Sequence, residues 1–514
     1  MIKAAARPGD AKTSLGHHAM RQLIKPQLSL GVVDIAAVQL DPCSRDDMPR
    51  WLRGLQYLYL NPQVREEVFT MLRDVVPQDA AGQPVSVATG RPGLSQWQIL
   101  VLGVLRLGLN ADYDRLQELA NNHLTIRQMR GHRDCADDQS WGVQTLKDPL
   151  RLLTPAVLER ITAVVVRAGQ ALVKTSPDEG LAGRGDSLVV ATAVHDPTDP
   201  HRRDDAVRPV IATSAGRCAA AGLSDWRQQA DNVRCLKQAY RRTQQVKRAR
   251  AQDEAQRAAR AVEMHQAHED YLTLATHFLA RAPVTRLTLS AVPHGPTARF
   301  TARDDDIAHA ERQIDQVRRR VRQDARLPHA EKVFSLFEPQ TEWITKGKAR
   351  VPVEWGLRVW VSEDQYGFLL SHRVMPQETD DPVAIPVVTE LAQRFPNRHS
   401  VSLDQGFHRP AHQERRAERV PLPVLPQQGK GNATAARRAA DPEFRRLRRQ
   451  HAAVASAINA LAAPGLDRCP DHGLDGLKRY VALAVVGRNR HRLGALLLET
   501  EAERGRPSAR KRAA

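Results

Sequence analysis

The clearest hydrophobic pattern lies in the first third of the chain. From Met48 to Leu153 apolar residues recur at helical intervals, most clearly in SQWQILVLGVLRLGLN, where Ser95 can cap a helix whose turns are apolar nearly all round. Thr154 and Pro155 then open another helix, TPAVLERITAVVVRAGQALVK. We predict a helical domain over residues 48–175, preceded by a weakly ordered lead-in, residues 1–47.

Within this region, DYDRLQELANNHLTIRQMRG predicts two short consecutive helices. Leu116, Leu119 and Ala120 give one apolar face, the two asparagines at 121–122 interrupt it, and Thr125 can cap the second helix. The pattern resembles a helix-turn-helix, whose second helix enters the major groove of DNA. A plain antiparallel helix pair fits the pattern equally well.

After about residue 176 the pattern becomes strand-like. RGDSLVVATAVHD, residues 184–196, predicts a strand, and residues 351–361 alternate with a period of two, which predicts a half-buried strand. A turn at 363–367 joins the latter to GFLLSHRVM in a hairpin, and HSVSLDQGF and VPLPVLP predict two further strands. Helices follow from Pro442 to Leu461 and in KRYVALAVVGRNRHRLGALLL. The pattern predicts an α+β or α/β multidomain protein, with its second domain over residues 176–498.

A polar, Arg-rich helical stretch separates the first predicted strand from the others. It covers about residues 224–330, and its short apolar segment, VTRLTLSAV, has the composition of a strand. We interpret this stretch as a helical insertion into the second domain. The last residues, 499–514, predict a basic disordered tail.

Charge gives the first indication of a partner. The chain has 76 Lys and Arg against 58 Asp and Glu, a formal net charge of +18. From Trp226 to Arg260 there are ten basic residues and three acidic ones, a density that suits phosphate contact. A high-GC genome also enriches Arg, and a solvated helix face is the alternative for each basic helix. The predicted DNA-binding residues are Arg241, Arg242, Lys247, Arg248, Arg445, Arg448 and Arg449.

Several classes of protein are disfavoured by the sequence. No apolar run reaches the roughly 18 residues that a membrane span needs, and no secretory signal is visible at the N-terminus. The five cysteines are scattered, which argues against a disulfide framework. We therefore expect a soluble cytoplasmic protein with no membrane partner.

Two aspartates mark the predicted strands. Asp186 opens the first strand, and Asp404 ends the strand in HSVSLDQGF. Carboxylates on neighbouring strand ends of a rigid sheet can hold the Mg²⁺ ions that activate a nucleophile in phosphoryl transfer. Either aspartate alone is more often a turn residue.

The sequence motifs around Asp186 and Asp404 support a metal site. GRGDSLVVATAVHDPTD, FSLFEPQTEWITKGKARVPVEWGLRVWV, YGFLLSHRVMPQETDD, SLDQGFHRP and GLDRCPDHGLDGLKRYVALAVVGRNRHRLG resemble bacterial insertion-sequence transposases of the ISNCY group. With GRPGLSQWQILVLGVLRLGLNADYDRLQELANNHLTIRQM included, the likeness runs from about Gly90 to Leu498.

The resemblance implies a ribonuclease H-like catalytic domain in which Asp186 and Asp404 are the first two metal ligands and the catalytic residues. It further implies two Mg²⁺ or Mn²⁺ ions, and double-stranded DNA as partner, both the terminal repeats of the element and the target. We expect a homo-oligomer on DNA, associated with the bacterial nucleoid.

The third acidic ligand of the family is missing. It is expected as Glu in a helix where this chain has RRQHAAVASAIN, and the matching position is Ala455. Glu443 and Asp467 lie twelve residues to either side, too far along a helix for simple substitution. Ala191 also replaces a Glu that the family usually has. The alternative function is therefore a catalytically inactive transposase remnant that only binds DNA; a metal-dependent nuclease with another role is a third interpretation.

Other constellations give weaker indications. Cys469 and His472 have a ligand-like spacing but no second pair nearby, which argues against zinc. QQGKGN lacks the first glycine of a phosphate-binding loop and predicts a turn. His451, one helical turn before Ala455, is predicted either to orient a phosphate or, more often for such a residue, to be a partly exposed structural histidine.

Overall fold

The structure is a computed structural model. It describes residues 34–76, 93–132, 140–194, 199–248, 253–290, 301–345, 353–407, 422–426 and 433–505, with short gaps between 175 and 178 and between 324 and 337.

The chain divides into two compact units. The first unit consists of Met1–Leu188, Arg358–Asp467 and Lys478–Ala514, and the second of Val189–Leu357 and Arg468–Leu477. Together they combine many helices with a mixed sheet, so the predicted α+β class is confirmed.

The predicted helical region forms seven helices of the first unit. They are α1 (Met48–Leu60), α2 (Pro62–Leu72), α3 (Gln96–Gly108), α4 (Tyr113–Asn122), α5 (Leu124–Met129), α6 (Val143–Leu150) and α7 (Pro155–Val173). Ser95 and Gln98 form a capping box at the start of α3: the Ser95 hydroxyl accepts from the Gln98 N–H at 3.2 Å, and the Gln98 side chain accepts from the Ser95 N–H at 3.0 Å. Thr154 caps α7, with Pro155 at its first position. Both predicted caps are confirmed.

Helices α4 and α5 pack as a plain pair. The predicted Thr125 cap is wrong, because His123 Nδ1 accepts the hydrogen bond of the Ile126 N–H at 3.4 Å. Helix α5 has only six residues, and half of them, including Ile126 and Arg127, are buried. Arg127 and Arg130 donate to main-chain carbonyls. A recognition helix needs a free face to read bases, so the geometry favours the plain helix pair.

The boundary predicted near residue 175 does not separate two units. Helix α1 approaches the backbone of the last helix so closely that a Cβ at Gly54 would lie 2.3 Å from the Arg490 carbonyl oxygen. A Cβ on Gly169 of α7 would likewise lie 2.1 Å from the Phe368 ring. Both glycines allow elements distant in sequence to share one core with residues 48–175.

Part of the predicted lead-in is also ordered. Asp34 caps a 3-10 turn, Ile35–Ala37, and the buried Gln56 side chain donates to the carbonyls of Ile35 and Val38, both at 2.9 Å. Residues 34–38 of the predicted lead-in thus contact α1, whereas residues 1–33 lie outside the described part of the chain.

The second unit holds the Arg-rich helices. They are α8 (Asp199–Ala220), α9 (Gln229–Arg248), α10 (Glu254–Ser290) and α11 (Thr301–Gln323). The helical stretch thus begins at Asp199, before the predicted residue 224. It has its own apolar core, which includes Ile211, Leu236 and Tyr271.

The strand predicted in VTRLTLSAV is wrong. Residues 284–290 continue α10, with Thr285 and Leu289 buried at a helical interval and Leu287 exposed. A short apolar run has the same composition in a helix and in a strand, so only its packing decides between them. Residues 291 and 292 lie outside the described residues.

The sheet consists of β1 (Leu181–Thr192), β2 (Glu342–Ile344), β3 (Glu354–Glu363), β4 (Leu369–Met375), β5 (Arg398–Leu403), β6 (Leu422–Val424) and β7 (Arg468–Cys469). The main order is β2-β3-β1-β5-β6, with β4 paired to β3 and β7 to β1. β1, β5 and β6 are parallel neighbours, and β3 and β4 form the predicted antiparallel hairpin. β3 is buried on both faces from Val359 to Glu363, not half-buried as predicted, because it lies inside the sheet.

The remaining helices are α12 (Asp380–Arg394), α13 (Ala433–Ala440), α14 (Pro442–His451), α15 (Val454–Leu461) and α16 (Gly473–Gly505). The single helix predicted from Pro442 to Leu461 is interrupted at residues 452–453. α16 continues through residues 499–505 of the predicted disordered tail; residues 506–514 lie outside the described part. Among the described helices, none is both long and apolar enough to cross a bilayer.

Candidate functional site

The structure places Asp186, in the middle of β1, beside Asp404, which follows the end of β5. The prediction that Asp186 opens its strand is wrong, because β1 begins at Leu181. Gly185 of β1 and Leu403 of β5 are register partners in a parallel pair, and the two aspartates are the next residues of each chain segment. Neighbouring strands lie about 4.8 Å apart. Residues separated by 218 positions in the chain, 404 − 186, therefore lie side by side.

Local contacts support each aspartate differently. Asp186 is half-buried, and its Oδ1 accepts a hydrogen bond from the Ser187 N–H at 2.7 Å. Asp404 is exposed, and its carbonyl accepts from the N–H of the buried Phe407 at 3.1 Å, which closes a short 3-10 turn after β5. Behind Asp186, a Cβ on Gly185 would lie 2.8 Å from the Trp360 ring. The small residue lets β1 pack closely against β3 at this point.

His451, at the end of α14, lies on the same face of the sheet. Its Nδ1 is 2.6 Å from the hydroxyl of Ser402, which precedes Asp404 by two residues and so faces the same side. The His451 side chain is buried, and burial lowers its pKa, as does the Arg448 charge, whereas Asp404 raises it. The histidine predicted to be partly exposed is therefore buried beside the aspartate pair.

Arg184, two residues before Asp186, also faces the pair. Its Nε donates to Glu363 Oε1 at 2.7 Å, and its Nη1 and Nη2 donate to the carbonyls of Gln450 and Asp364, both at 3.2 Å. Burial raises the pKa of Glu363, while Arg184 lowers it. Arg184 thereby joins β1, the end of β3 and the end of α14.

Arg184 and Glu363 are not among the site residues that the sequence predicts. Arg184 could have been noticed as the residue that shares a strand face with Asp186. Glu363 carries no such signal, because its partner is 179 residues away in the chain.

Among the described residues, no carboxylate joins Asp186 and Asp404 in a group of three. Ala455 is exposed in the first turn of α15, after the interruption that follows His451. Glu443 binds His399 at 3.1 Å near the start of β5, and eight helical residues, about 12 Å, separate it from His451. Within the described residues, no group of three or more His, Cys, Asp or Glu side chains is placed to hold a metal ion.

The donor set fits one divalent ion better than two. Mg²⁺ is commonly held by one or two carboxylates together with water and substrate phosphate, and Asp186 and Asp404 provide that number. A second ion would require carboxylates that the described residues do not provide here. Cys469 and His472 have separate partners, the Asp471 carbonyl and Glu338.

Helix α14, which ends at His451, carries three of the predicted DNA-binding arginines. Arg445 and Arg449 are exposed and donate to main-chain carbonyls at 3.1 and 3.4 Å. Arg448 differs from them: its Nη1 is buried and has no hydrogen-bond partner among the described residues. The Arg448 charge lowers the pKa of His451, so this guanidinium lies near the histidine that contacts Ser402.

The other predicted DNA-binding residues belong to the second unit. Arg241, Arg242, Lys247 and Arg248 lie exposed along the C-terminal half of α9. Arg242 pairs with Asp270 at 3.3 Å, an exposed contact that contributes little stability. The four residues thus form a solvent-facing basic surface on the second unit, whereas Asp186 and Asp404 belong to the first.

Comparisons of the chain with protein-family models, with curated proteins and with solved structures find no match.

Proposed function

We propose that this protein is a DNA transposase of the insertion-sequence type, which binds the terminal repeats of its element and cleaves and joins DNA strands with a divalent metal ion. The observation that carries the proposal is the placement of Asp186 and Asp404 as neighbours on parallel strands. Paired carboxylates at this place suit metal-dependent phosphoryl transfer.

The sheet order supports a ribonuclease H-like catalytic domain. β1 is central, the β3–β4 hairpin lies on one side of it, and the parallel strands β5 and β6 lie on the other. This order is the one expected of such a sheet, and it brings the first two acidic positions together. We propose that the Arg-rich helices α8–α11 are an insertion between β1 and the hairpin.

Each residue of the site has a separate task in this proposal. Asp186 and Asp404 hold the cation, and Arg448 binds a non-bridging phosphate oxygen through its free Nη1. Arg184 fixes the end of α14 against β1, so that Arg448 and His451 stay beside the aspartates. When bound, Mg²⁺ or Mn²⁺ would stabilise negative charge on the phosphate.

The second candidate is a catalytically inactive remnant that binds DNA without cutting it. Ala455 favours this candidate, because a methyl group can neither ligate a cation nor accept a proton, and no other described carboxylate takes its place. In either case we propose double-stranded DNA as the partner and a homo-oligomer as the DNA-bound state.

The test combines metal binding with DNA cleavage. Asp186→Asn and Asp404→Asn are compared with Asp467→Asn, which alters an exposed aspartate after α15. We expect the first two variants to weaken Mn²⁺ binding, measured by electron paramagnetic resonance, and to abolish any nicking of a duplex with the terminal repeat. The control should resemble the natural chain. Mn²⁺ binding that survives both substitutions would refute the site, whereas metal binding without nicking would favour the remnant.

A further inference from the structure

A second basic site lies in the first unit, away from the aspartate pair. A cleft of about 720 Å³ is lined by α7, by Met71 of α2 and by residues 394–397. Four cationic side chains line it, and none of its described lining residues is acidic: Arg160, Arg167, Lys174 and Arg394. Its volume is that of a ligand pocket.

The cleft lies where β1 and β5 begin. Asn397, one of its lining residues, accepts a hydrogen bond from the Leu181 N–H at 3.1 Å through its carbonyl. Asp404 lies seven residues further along this extended segment, about 23 Å away. The cleft and Asp404 are therefore at opposite ends of β5.

Three of the cations form a row along α7. Arg160, Arg167 and Lys174 are seven residues apart, which places them on one face at intervals of about 10.5 Å. A strand stacked as in double-stranded DNA rises about 3.4 Å per nucleotide, so one interval spans at most about three nucleotides. The row is thus long enough to follow a strand of several nucleotides.

Two of the three cations in the row also form ion pairs within the protein, and the third does not. Arg160 pairs with Asp74 at 2.7 Å, and Arg167 pairs with Glu67. Both pairs are exposed, and exposed pairs contribute about 0–1 kcal/mol, so a phosphate can replace the carboxylate at little cost. Among the described residues, no carboxylate pairs with Lys174, the residue that follows α7.

The floor of the cleft favours unpaired bases over a duplex. Val164, Ala171, Phe395 and Pro396 provide apolar surface below the cations. A duplex keeps its bases stacked inside and would touch only the rim, whereas a single strand can place its bases in a concave site with its phosphates on the basic row.

We propose that this cleft binds single-stranded DNA, with phosphates along Arg160, Arg167 and Lys174 and bases against the apolar floor. That the ligand is DNA rests on the proposed function. The cleft by itself indicates only a negatively charged chain that carries apolar groups. The site would hold a strand exposed at the ends of the element while a duplex occupies the other basic surfaces.

The experiment uses the full chain and a labelled oligothymidylate of about 12 nucleotides, within the size range of single-strand sites. Lys174→Gln removes the cation without breaking an ion pair and should weaken oligothymidylate binding about threefold to tenfold. Asp74→Asn and Glu67→Gln are the matched variants: they free Arg160 and Arg167 and should strengthen that binding. Duplex affinity should change by less than about twofold in all three.

Three results would overturn the proposal: no binding of oligothymidylate, affinities that follow the loss of melting temperature in all variants, or equal effects on duplex and single strand. Asp404→Asn should leave oligothymidylate affinity unchanged. If the metal-site proposal is wrong, oligothymidylate binding is unaffected. If the cleft proposal is wrong, Mn²⁺ binding by the aspartates can still be tested.

Discussion

Arg184 Nε lies 2.7 Å from Glu363 Oε1, so a cation on the strand of Asp186 is paired with a carboxylate at the end of β3. The side chains are 15% and 5% exposed, which makes this a buried ion pair beside the candidate site. The remaining guanidinium nitrogens reach the carbonyls of Gln450 and Asp364. The contact therefore links the sheet to the helix that carries Arg448 and His451.

We expect Arg184→Gln to lower the free energy of unfolding by about 3 kcal/mol, because it leaves Glu363 buried without its cation. Glu363→Gln should have a comparable effect, and the double variant should lose less than the sum of the two. Urea denaturation of the four proteins gives the coupling energy. Additive losses would mean that the pair does not act as a unit.

Ala455→Glu should increase metal-dependent nicking about tenfold if α15 directs this position toward the aspartates, because a carboxylate would then complete the ligand set. Ala452→Glu is the matched control, since it adds the same charge at an exposed position in the interruption before α15. The assay uses a duplex with the terminal repeat, with and without Asp404→Asn. Equal gains for both Glu variants, or cleavage that persists in Asp404→Asn, would contradict the assignment.

The basic surface of α9 should contribute phosphate contacts. Replacing Arg241, Arg242, Lys247 and Arg248 by Gln should weaken all duplexes similarly and reduce the log-log salt slope by up to about 3.6, since each contact contributes about 0.9. Filter binding over a range of salt concentrations measures the slope. The control replaces Arg319 and Arg322 of α11 by Gln. These two arginines are paired with Glu331 and Glu269. An unchanged slope in the α9 variant would exclude this surface.

His372 predicts a pH dependence of stability. Burial lowers its pKa to about 4, and the Arg394 charge acts in the same direction. Because the unfolded chain then binds a proton more readily than the folded one, stability should fall as the pH decreases from about 6.5 to about 4, by on the order of 3 kcal/mol.

His372→Gln should flatten this part of the stability profile, which denaturation at several pH values measures. Glu390 raises the pKa of His372, so Glu390→Gln should extend the loss of stability to lower pH by removing this carboxylate. A profile that does not depend on residue 372 would assign the acid sensitivity to other groups.

Short-range chemistry determined the features that the sequence predicted best. Ser95 and Thr154 cap their helices through bonds that span three residues, and the hairpin of β3 and β4 depends on the turn at 363–367. The two aspartates were identified from their motifs alone. Their neighbouring positions were an expectation of the ribonuclease H-like resemblance, and they follow from the parallel pairing of β1 with β5.

Only the tertiary structure decided which distant segments pack together. The N-terminal helices share a core with α16 because Gly54 permits a close approach to Arg490, and no local pattern carries that information. The segment with strand composition at 284–290 is helical because Thr285 and Leu289 find buried positions one helical turn apart on α10. Arg184 and Glu363 meet across 179 residues. A local pattern determines whether a segment suits a helix or a strand, whereas its partners depend on shape and charge contributed by residues far away in the chain.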